Sequence, residues 1–216
     1  GIGYFDTTGL PAVDYFLTDV YADPVGSNDG YFTERLVRLP YSHFCYTAAD
    51  VMPECLPAPC ARNGWVTFGS FNNFAKVSDE MLVLWGKILS RVPAAKLLLK
   101  CSAFGNAEAC RMARQRLMAA GISQDRVELR AASFDYLPEY GEIDVALDTY
   151  PYPGGGTTCD ALYMGVPVVT LAGERHGSRF GYSLLCNIGL KEECCAQSPA
   201  EYVEKAVRLA KDQRKL

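Results

Sequence analysis

A chain of 216 residues with 49% hydrophobic and 21% charged side chains has ordinary globular composition and enough apolar material for a sizeable core. Its net charge of -4 gives no electrostatic reason to bind nucleic acid or an anionic membrane, so any phosphate site has to be local. No apolar run approaches the ~20 residues of a membrane span, and the start lacks the charged segment and cleavage pattern of a signal peptide, so a soluble, cytoplasmic protein is expected.

The chain begins at Gly1 without an initiator Met and breaks off inside a helical pattern at Lys215-Leu216, as expected of a piece cut from a longer protein. Residues 1–46 hold fragments of strand and helix without a repeating unit. Residues 47–63 carry Pro53, Pro57 and Pro59 without a sustained period and read as a linker, so a domain is expected over 64–216. Cysteine is present nine times, an odd number with no C-x-x-C pair, which points to reduced thiols. His43, Cys45, Cys55 and Cys60 are the residue types of a zinc site, but their spacing matches no common ligand pattern and no metal is expected.

From Trp65 onward the pattern becomes regular. Trp65–Phe68 predicts a strand, Asp79–Arg91 an amphipathic helix, Leu97–Leu99 a strand and Glu108–Ala120 a helix stopped by Gly121. Arg126–Leu129 then predicts a strand, Tyr136–Tyr140 a short helix, Ile143–Leu147 a strand, Thr158–Met164 a helix and Val168–Leu171 a strand, followed by helices over Ser178–Cys186 and Pro199–Lys211. Strands alternating with helices at this spacing predict an α/β fold, a Rossmann-like doubly wound parallel sheet with ligands at the carboxyl ends of its strands.

Two loops sit at such ends, Gly69–Lys76 and Asp148–Gly156. In the second, Gly154, Gly155 and Gly156 allow close backbone approach, and the Thr157 and Thr158 hydroxyls with the first free N–H groups of a helix can cradle an anion. The same residues also suit a plain loop, with Thr157 as N-cap and Asp160 as a favourable acid in the first turn. Lys76 stands either as a phosphate-reaching ammonium or as an exposed lysine before a helix. His43 and His176 fall in no catalytic constellation and read as surface or hydrogen-bonded structural histidines. Asp144 and Asp148 bracket a strand and read as strand-end caps. Neither Walker A nor G-x-G-x-x-G is present, which disfavours a dinucleotide-dependent oxidoreductase.

Four segments together resemble a known family: Phe68–Lys76, Ile143–Thr149, Gly154–Leu162 and Met164–Glu174, with Thr7–Tyr15 similar to the end of that family's upstream lobe. They resemble the catalytic region of the O-linked N-acetylglucosamine transferases and the related SPINDLY-type proteins, in the family's order and over nearly the whole chain. The resemblance implies a GT-B architecture, in which two Rossmann-like lobes clamp a nucleotide sugar and a protein Ser or Thr enters between them. Residues 1–46 then correspond to a remnant of the upstream lobe and 64–216 to the donor lobe. It implies UDP-N-acetylglucosamine as donor substrate, no cofactor or metal, and an acceptor protein, with the upstream lobe and tetratricopeptide repeats as missing partners. GDP-fucose, used by SPINDLY relatives, and a nucleotide-binding module without transfer activity are the alternatives, and this piece alone is expected to be inactive in transfer. By position, Lys76 matches the essential lysine on the diphosphate, with Asn73 beside it. Gly156, Thr157 and Thr158 fall at the diphosphate and Asp160 at the ribose, while Ala131 is at the base edge and Tyr136 replaces a base-stacking histidine. Ser133 stands where the animal enzymes carry a lysine.

Overall fold

The computed structural model describes residues 6–49 and 52–212, so the terminal pattern at Lys215-Leu216 lies outside the described residues. Among the described residues, eight strands fall into two sheets. β1 (Tyr15–Asp19) pairs in parallel with β2 (Arg35–Leu39). The remaining six are β3 (Thr67–Ser70), β4 (Lys96–Lys100), β5 (Val127–Arg130), β6 (Val145–Leu147), β7 (Val168–Leu171) and β8 (Cys195–Ala196). They form one parallel sheet in the order β5-β4-β3-β6-β7-β8.

Alternation along each strand explains why both faces are covered. Leu97 and Leu99 of β4, Val145 and Leu147 of β6, and Val169 and Leu171 of β7 point into one core, while Leu98, Ala146 and Val168 point into another on the opposite face. The first core is closed by α2 (Asp79–Arg91), α3 (Ala107–Ala119) and α7 (Pro199–Lys211), and the second by α4 (Gly156–Tyr163). α2 starts on Ser78, whose hydroxyl accepts from Met81 N–H at 3.3 Å, with Asp79 and Glu80 in the first turn where acids favour the helix dipole. Its Met81, Leu82, Trp85, Ile88 and Leu89 make the buried stripe. α7 repeats the device with a Ser198 cap and Pro199 at its start.

Trp85 Nε1–H donates to the Tyr202 hydroxyl at 3.2 Å, and that hydroxyl donates to the Asp148 carbonyl at 2.9 Å. The fully buried pair therefore pins the end of β6 to the helices behind it.

Some boundaries differ from the expected ones. The helix expected over Ser178–Cys186 is a single 3₁₀ turn, His176–Ser178, followed by α5 (Phe180–Asn187). The stretch 47–63 includes a short helix, α1 (Cys60–Asn63), and α6 (Lys191–Cys194) precedes β8. Asp144 acts as a cap, its carboxylate accepting from Cys60 N–H at 2.8 Å and Thr67 N–H at 2.7 Å. Among the described residues, no helix is long and apolar enough to cross a membrane.

Candidate functional site

The strand order reverses between β3 and β6, because the chain leaves β3 outward through β4 and β5 and then returns to β3's other side. At such a reversal the two loops after the central strands part and leave a crevice. Both loops anticipated from the sequence lie here.

After β3 the chain turns through Phe71, Asn72 and Asn73 into one 3₁₀ turn, Phe74–Lys76, and Asn73 caps it by accepting Ala75 N–H at 3.0 Å. That turn carries Lys76 across the crevice. Its ammonium donates to the Pro153 carbonyl at 3.3 Å and stands 4.2 Å from the centroid of the Tyr152 ring. Partial burial pulls the Lys76 pKa down from its ordinary 10.5, against the attraction of Asp148.

After β6, Asp148 gathers the two loops. Its carboxylate accepts from Gly154 N–H at 2.7 Å, Thr149 N–H at 2.9 Å, the Thr170 hydroxyl at 2.8 Å and the Asn72 amide at 3.5 Å. Burial raises its pKa, and these donors together with Lys76 oppose the rise. Asn72 also accepts from the Thr157 hydroxyl at 3.1 Å. Gly154 is wedged among these groups: a Cβ there would come within 2.5 Å of Thr157 Oγ1 and 2.6 Å of Thr158 Oγ1. α4 begins directly after, with Gly155 and not Thr157 in the N-cap position, which leaves the Thr157 side chain facing Asn72 instead of capping the helix. An oriented helix start, an ammonium and two hydroxyl residues thus meet at the place where an anion is best held.

Beside this lies a cavity of about 310 Å³ lined by Phe71, Asn73, Tyr136, Tyr140, Thr157 and Asp160. Asp160 is 8% exposed and accepts from two tyrosine hydroxyls, Tyr46 at 2.7 Å and Tyr136 at 2.8 Å. Burial and the bond to Asp160 raise the Tyr136 phenol to about 12. A carboxylate offers about four lone-pair positions, so Asp160 keeps acceptor capacity for a further hydroxyl. Phe71 packs on Tyr140 with ring centroids 4.5 Å apart, and Tyr136 meets Tyr140 edge-on at 6.4 Å. At the outer end, buried Lys100 donates to the Ala131 carbonyl at 2.8 Å, the Ser133 hydroxyl at 2.9 Å and Glu139 at 2.8 Å.

The structure therefore brings Asn73, Lys76, Gly156, Thr157, Thr158 and Asp160 to one crevice, with Tyr136 on the cavity wall and Ala131 at its outer end tied to Lys100. Phe71, Asn72, Lys100 and Tyr46 belong to the same arrangement and were not singled out. Asn72 and Phe71 share the loop of Asn73 and are within reach of sequence reasoning, whereas Tyr46 lies 114 residues from the carboxylate it contacts. His43 and Cys55, two of the zinc-type residues, are committed elsewhere, His43 to Asp19 at 2.5 Å and Cys55 to the Tyr163 carbonyl at 3.3 Å.

Known proteins with clear similarity to the chain fall in one family. The chain is 44% identical over 218 aligned positions to the probable UDP-N-acetylglucosamine-peptide N-acetylglucosaminyltransferase SPINDLY of Solanum lycopersicum, covering 98% of this chain and 23% of that protein. It is 32% identical over 149 positions to the UDP-N-acetylglucosamine-peptide N-acetylglucosaminyltransferase of Caenorhabditis elegans, covering 68% of this chain and 13% of that one. The chain thus spans about a quarter or less of the length of these curated relatives. Among solved structures, a lysine-to-methionine mutant of the Thermobaculum terrenum O-GlcNAc transferase superposes with a TM-score of 0.90 at 37% identity, over 97% of this chain and 39% of that one. The glycosyltransferase WaaG superposes at 0.62 with 14% identity, over 98% of this chain and 57% of that one, a likeness of GT-B fold alone. The model of Glycosyl transferase family 41 matches residues 60–216, and with these identities it shows that the chain belongs to that family.

Proposed function

We propose that this chain is the donor-binding part of a cytoplasmic protein O-glycosyltransferase that moves N-acetylglucosamine from UDP-N-acetylglucosamine to Ser or Thr hydroxyls of proteins, with inversion and without a metal. On this proposal residues 1–46 belong to the upstream lobe, 47–63 connect, and 64–216 form the nucleotide-sugar lobe. The observation that carries it is the Lys76 ammonium, held across the switch-point crevice from Gly154, Thr157 and the start of α4.

In an inverting transfer the acceptor oxygen attacks the anomeric carbon as the bond to the diphosphate breaks, so negative charge grows on the leaving nucleoside diphosphate. Lys76 and the helix start meet that charge where it develops, and a fixed ammonium in a partly buried site costs little reorganisation. Tyr136, Phe71 and Tyr140 offer the base an aromatic wall, and Asp160 offers the ribose an acceptor. The sugar and the acceptor protein would be completed by the upstream lobe, and tetratricopeptide repeats would present acceptors.

GDP-fucose is the second donor. What supports it is the resemblance to SPINDLY-type proteins, which include users of GDP-fucose, and Ser133 at the place where that resemblance sets a lysine in the animal enzymes; by name, both relatives cited above are UDP-N-acetylglucosamine transferases.

Calorimetry with UDP, GDP, uridine and NAD tests the proposal. UDP is expected to bind best, and Lys76→Ala to weaken UDP roughly tenfold or more while leaving uridine nearly unchanged, since a charge-assisted contact is worth about 1.5–3 kcal/mol. Equal loss for both ligands would show that Lys76 does not address the diphosphate. Stronger binding of GDP would move the donor to the second alternative.

A further inference from the structure

Lys100 is the last residue of β4, opposite Arg130 of β5, and lies on the same strand face as Leu98 of the second core. It joins the wall of the nucleotide cavity, and only 4% of the residue is exposed. A buried ammonium is costly unless each of its three N–H groups finds an acceptor. All of them do: the Ala131 carbonyl at 2.8 Å, the Ser133 hydroxyl at 2.9 Å and the Glu139 carboxylate at 2.8 Å. Lys100 has no N–H left for a ligand, so whatever it does for binding it does through these partners.

The partners all lie in the stretch after β5. Arg130 donates to Glu139 and to Glu142, each at 2.8 Å, and the Ser133 hydroxyl donates to Glu139 as well. Burial would raise the Glu139 carboxyl, but its bonds from Arg130, Lys100 and Ser133 hold it at about 2, so it stays a carboxylate. Between Arg130 and the 3₁₀ turn Leu137–Glu142, residues 131–135 are exposed and without regular structure, yet Ala132 and Ser133 border the cavity. Phe134 in this loop is fully exposed. One buried ammonium thus ties the loop at two points and ties the turn behind it. Stability alone does not call for a lysine here, since well-packed apolar residues of similar volume often serve as well as a buried ion pair.

We propose that Lys100 is a positioning residue for base selection, holding the backbone of residues 131–133 in the one arrangement that reads the edge of the nucleobase. The inference rests on the reading of the cavity as a nucleotide site. Stacking against Phe71, Tyr136 and Tyr140 accepts any base, because every base has a π face. Discrimination has to come from directional donors and acceptors at the rim, and the peptide groups of residues 131–133 are the ones that Lys100 fixes there.

Calorimetry with uridine, guanosine and cytidine, and with inorganic pyrophosphate as control, tests this on the whole chain. Lys100→Met keeps the apolar stem and leaves Glu139 to Arg130 and Ser133, so the chain is expected to fold. It should bind its preferred nucleoside about five- to tenfold more weakly, the loss of one or two positioned hydrogen bonds. Its preference over the other two nucleosides should narrow, and pyrophosphate should bind as before. Lys100→Arg, which again offers N–H groups to these acceptors, should regain the preference. Chymotrypsin reports the loop directly: cutting after Phe134 should be faster in Lys100→Met, while cutting after exposed Tyr41 stays the same. Glu139→Gln, which keeps the shape and removes the charge, should move both readouts the same way by less, so the test does not hang on one variant. An unchanged nucleoside preference in Lys100→Met, or a loss shared by pyrophosphate, would overturn the role of Lys100 and leave the nucleotide site standing. An unmodified chain that bound no nucleoside would overturn the nucleotide reading, and this role with it.

Discussion

Lys76 is the residue whose charge the site depends on, and its lowered pKa makes that dependence measurable. The ammonium binds diphosphate and the neutral amine does not, so the diphosphate's share of binding is complete at neutral pH and is lost as pH rises toward the lysine pKa, which lies below 10.5. The ratio of uridine to UDP dissociation constants isolates that share, because titration of the base cancels in it. The ratio is expected to fall between neutral and alkaline pH, and Lys76→Arg should hold it flat, since a guanidinium keeps its proton throughout. A flat ratio in the unmodified chain would place the phosphate contact elsewhere. Tyr136 offers a second test: Tyr136→Ala should weaken uridine and UDP alike by roughly 1–3 kcal/mol if its ring meets the base. Tyr136→Phe keeps the ring but leaves Asp160 with Tyr46 as its remaining phenol, so a smaller loss of about 1 kcal/mol is expected. If phenylalanine cost as much as alanine, the hydroxyl's hold on Asp160 would matter more than stacking. At this scale the sequence pointed to Lys76, Thr157 and Asp160 through motif order. It had no means of pairing Asp160 with Tyr46 or Lys100 with the Ala131 carbonyl, because those contacts exist only once distant loops are folded together.

Elements set the site's shape through backbone proximity. Asp148 draws the loops after β3 and β6 together by accepting from Asn72, Thr149 and Gly154, and Gly154 fits only because it lacks a Cβ. Gly154→Ala should therefore displace Thr157 and Thr158 and cost about 1–3 kcal/mol of stability, with a parallel loss of UDP affinity. Denaturant titration and calorimetry on the same variant would check both, and unchanged UDP binding would exclude the glycine loop from the diphosphate site. The regular strands and helices from β3 to α7 were readable because buried parallel strands and capped amphipathic helices leave strong periodic signals. The two-residue β8 carries no period, and the β1–β2 pairing rests on residues with exposed Tyr15 and Leu17 that give no core signature. The helix expected from Ser178 begins only at Phe180, since His176–Ser178 is a separate turn placed by His176's contact with Asp23.

The whole molecule is joined across its two sheets by buried charge. His43 Nδ1 donates to Asp19 at 2.5 Å and His176 Nδ1 to Asp23 at 2.5 Å, the two imidazoles lie 5.3 Å apart, and Phe16, Phe32 and Phe180 pack around His176. Asp19 also accepts from the Ser183 hydroxyl at 2.8 Å and from the N–H of Ala22 at 2.7 Å and His43 at 3.0 Å. Burial alone would raise both carboxyls, but the histidine bonds, with these added donors at Asp19 and with the Thr18 hydroxyl and Asn28 amide at Asp23, hold Asp19 and Asp23 below their ordinary 3.8. A depressed acid contributes stability above its unfolded pKa and loses it as pH falls, because the unfolded chain then binds protons that the folded one refuses. Resistance to urea is therefore expected to decline progressively below about pH 5. Hydrogen exchange at about pH 3–4 should show β1 and β2 opening ahead of the six-stranded sheet, since the carboxylates sit at their contact with α5 and the turn before it. Ser183→Ala, which removes one donor and leaves the packing, should lower stability by about 1 kcal/mol from neutral pH down to about pH 3, and by less only once the pH falls through the depressed Asp19 pKa, below which Asp19 no longer accepts as a carboxylate. Stability that held level down to about pH 3, or a Ser183→Ala loss that grew in acid, would mean that the Asp–His pairs are not what fastens the small sheet to the large one.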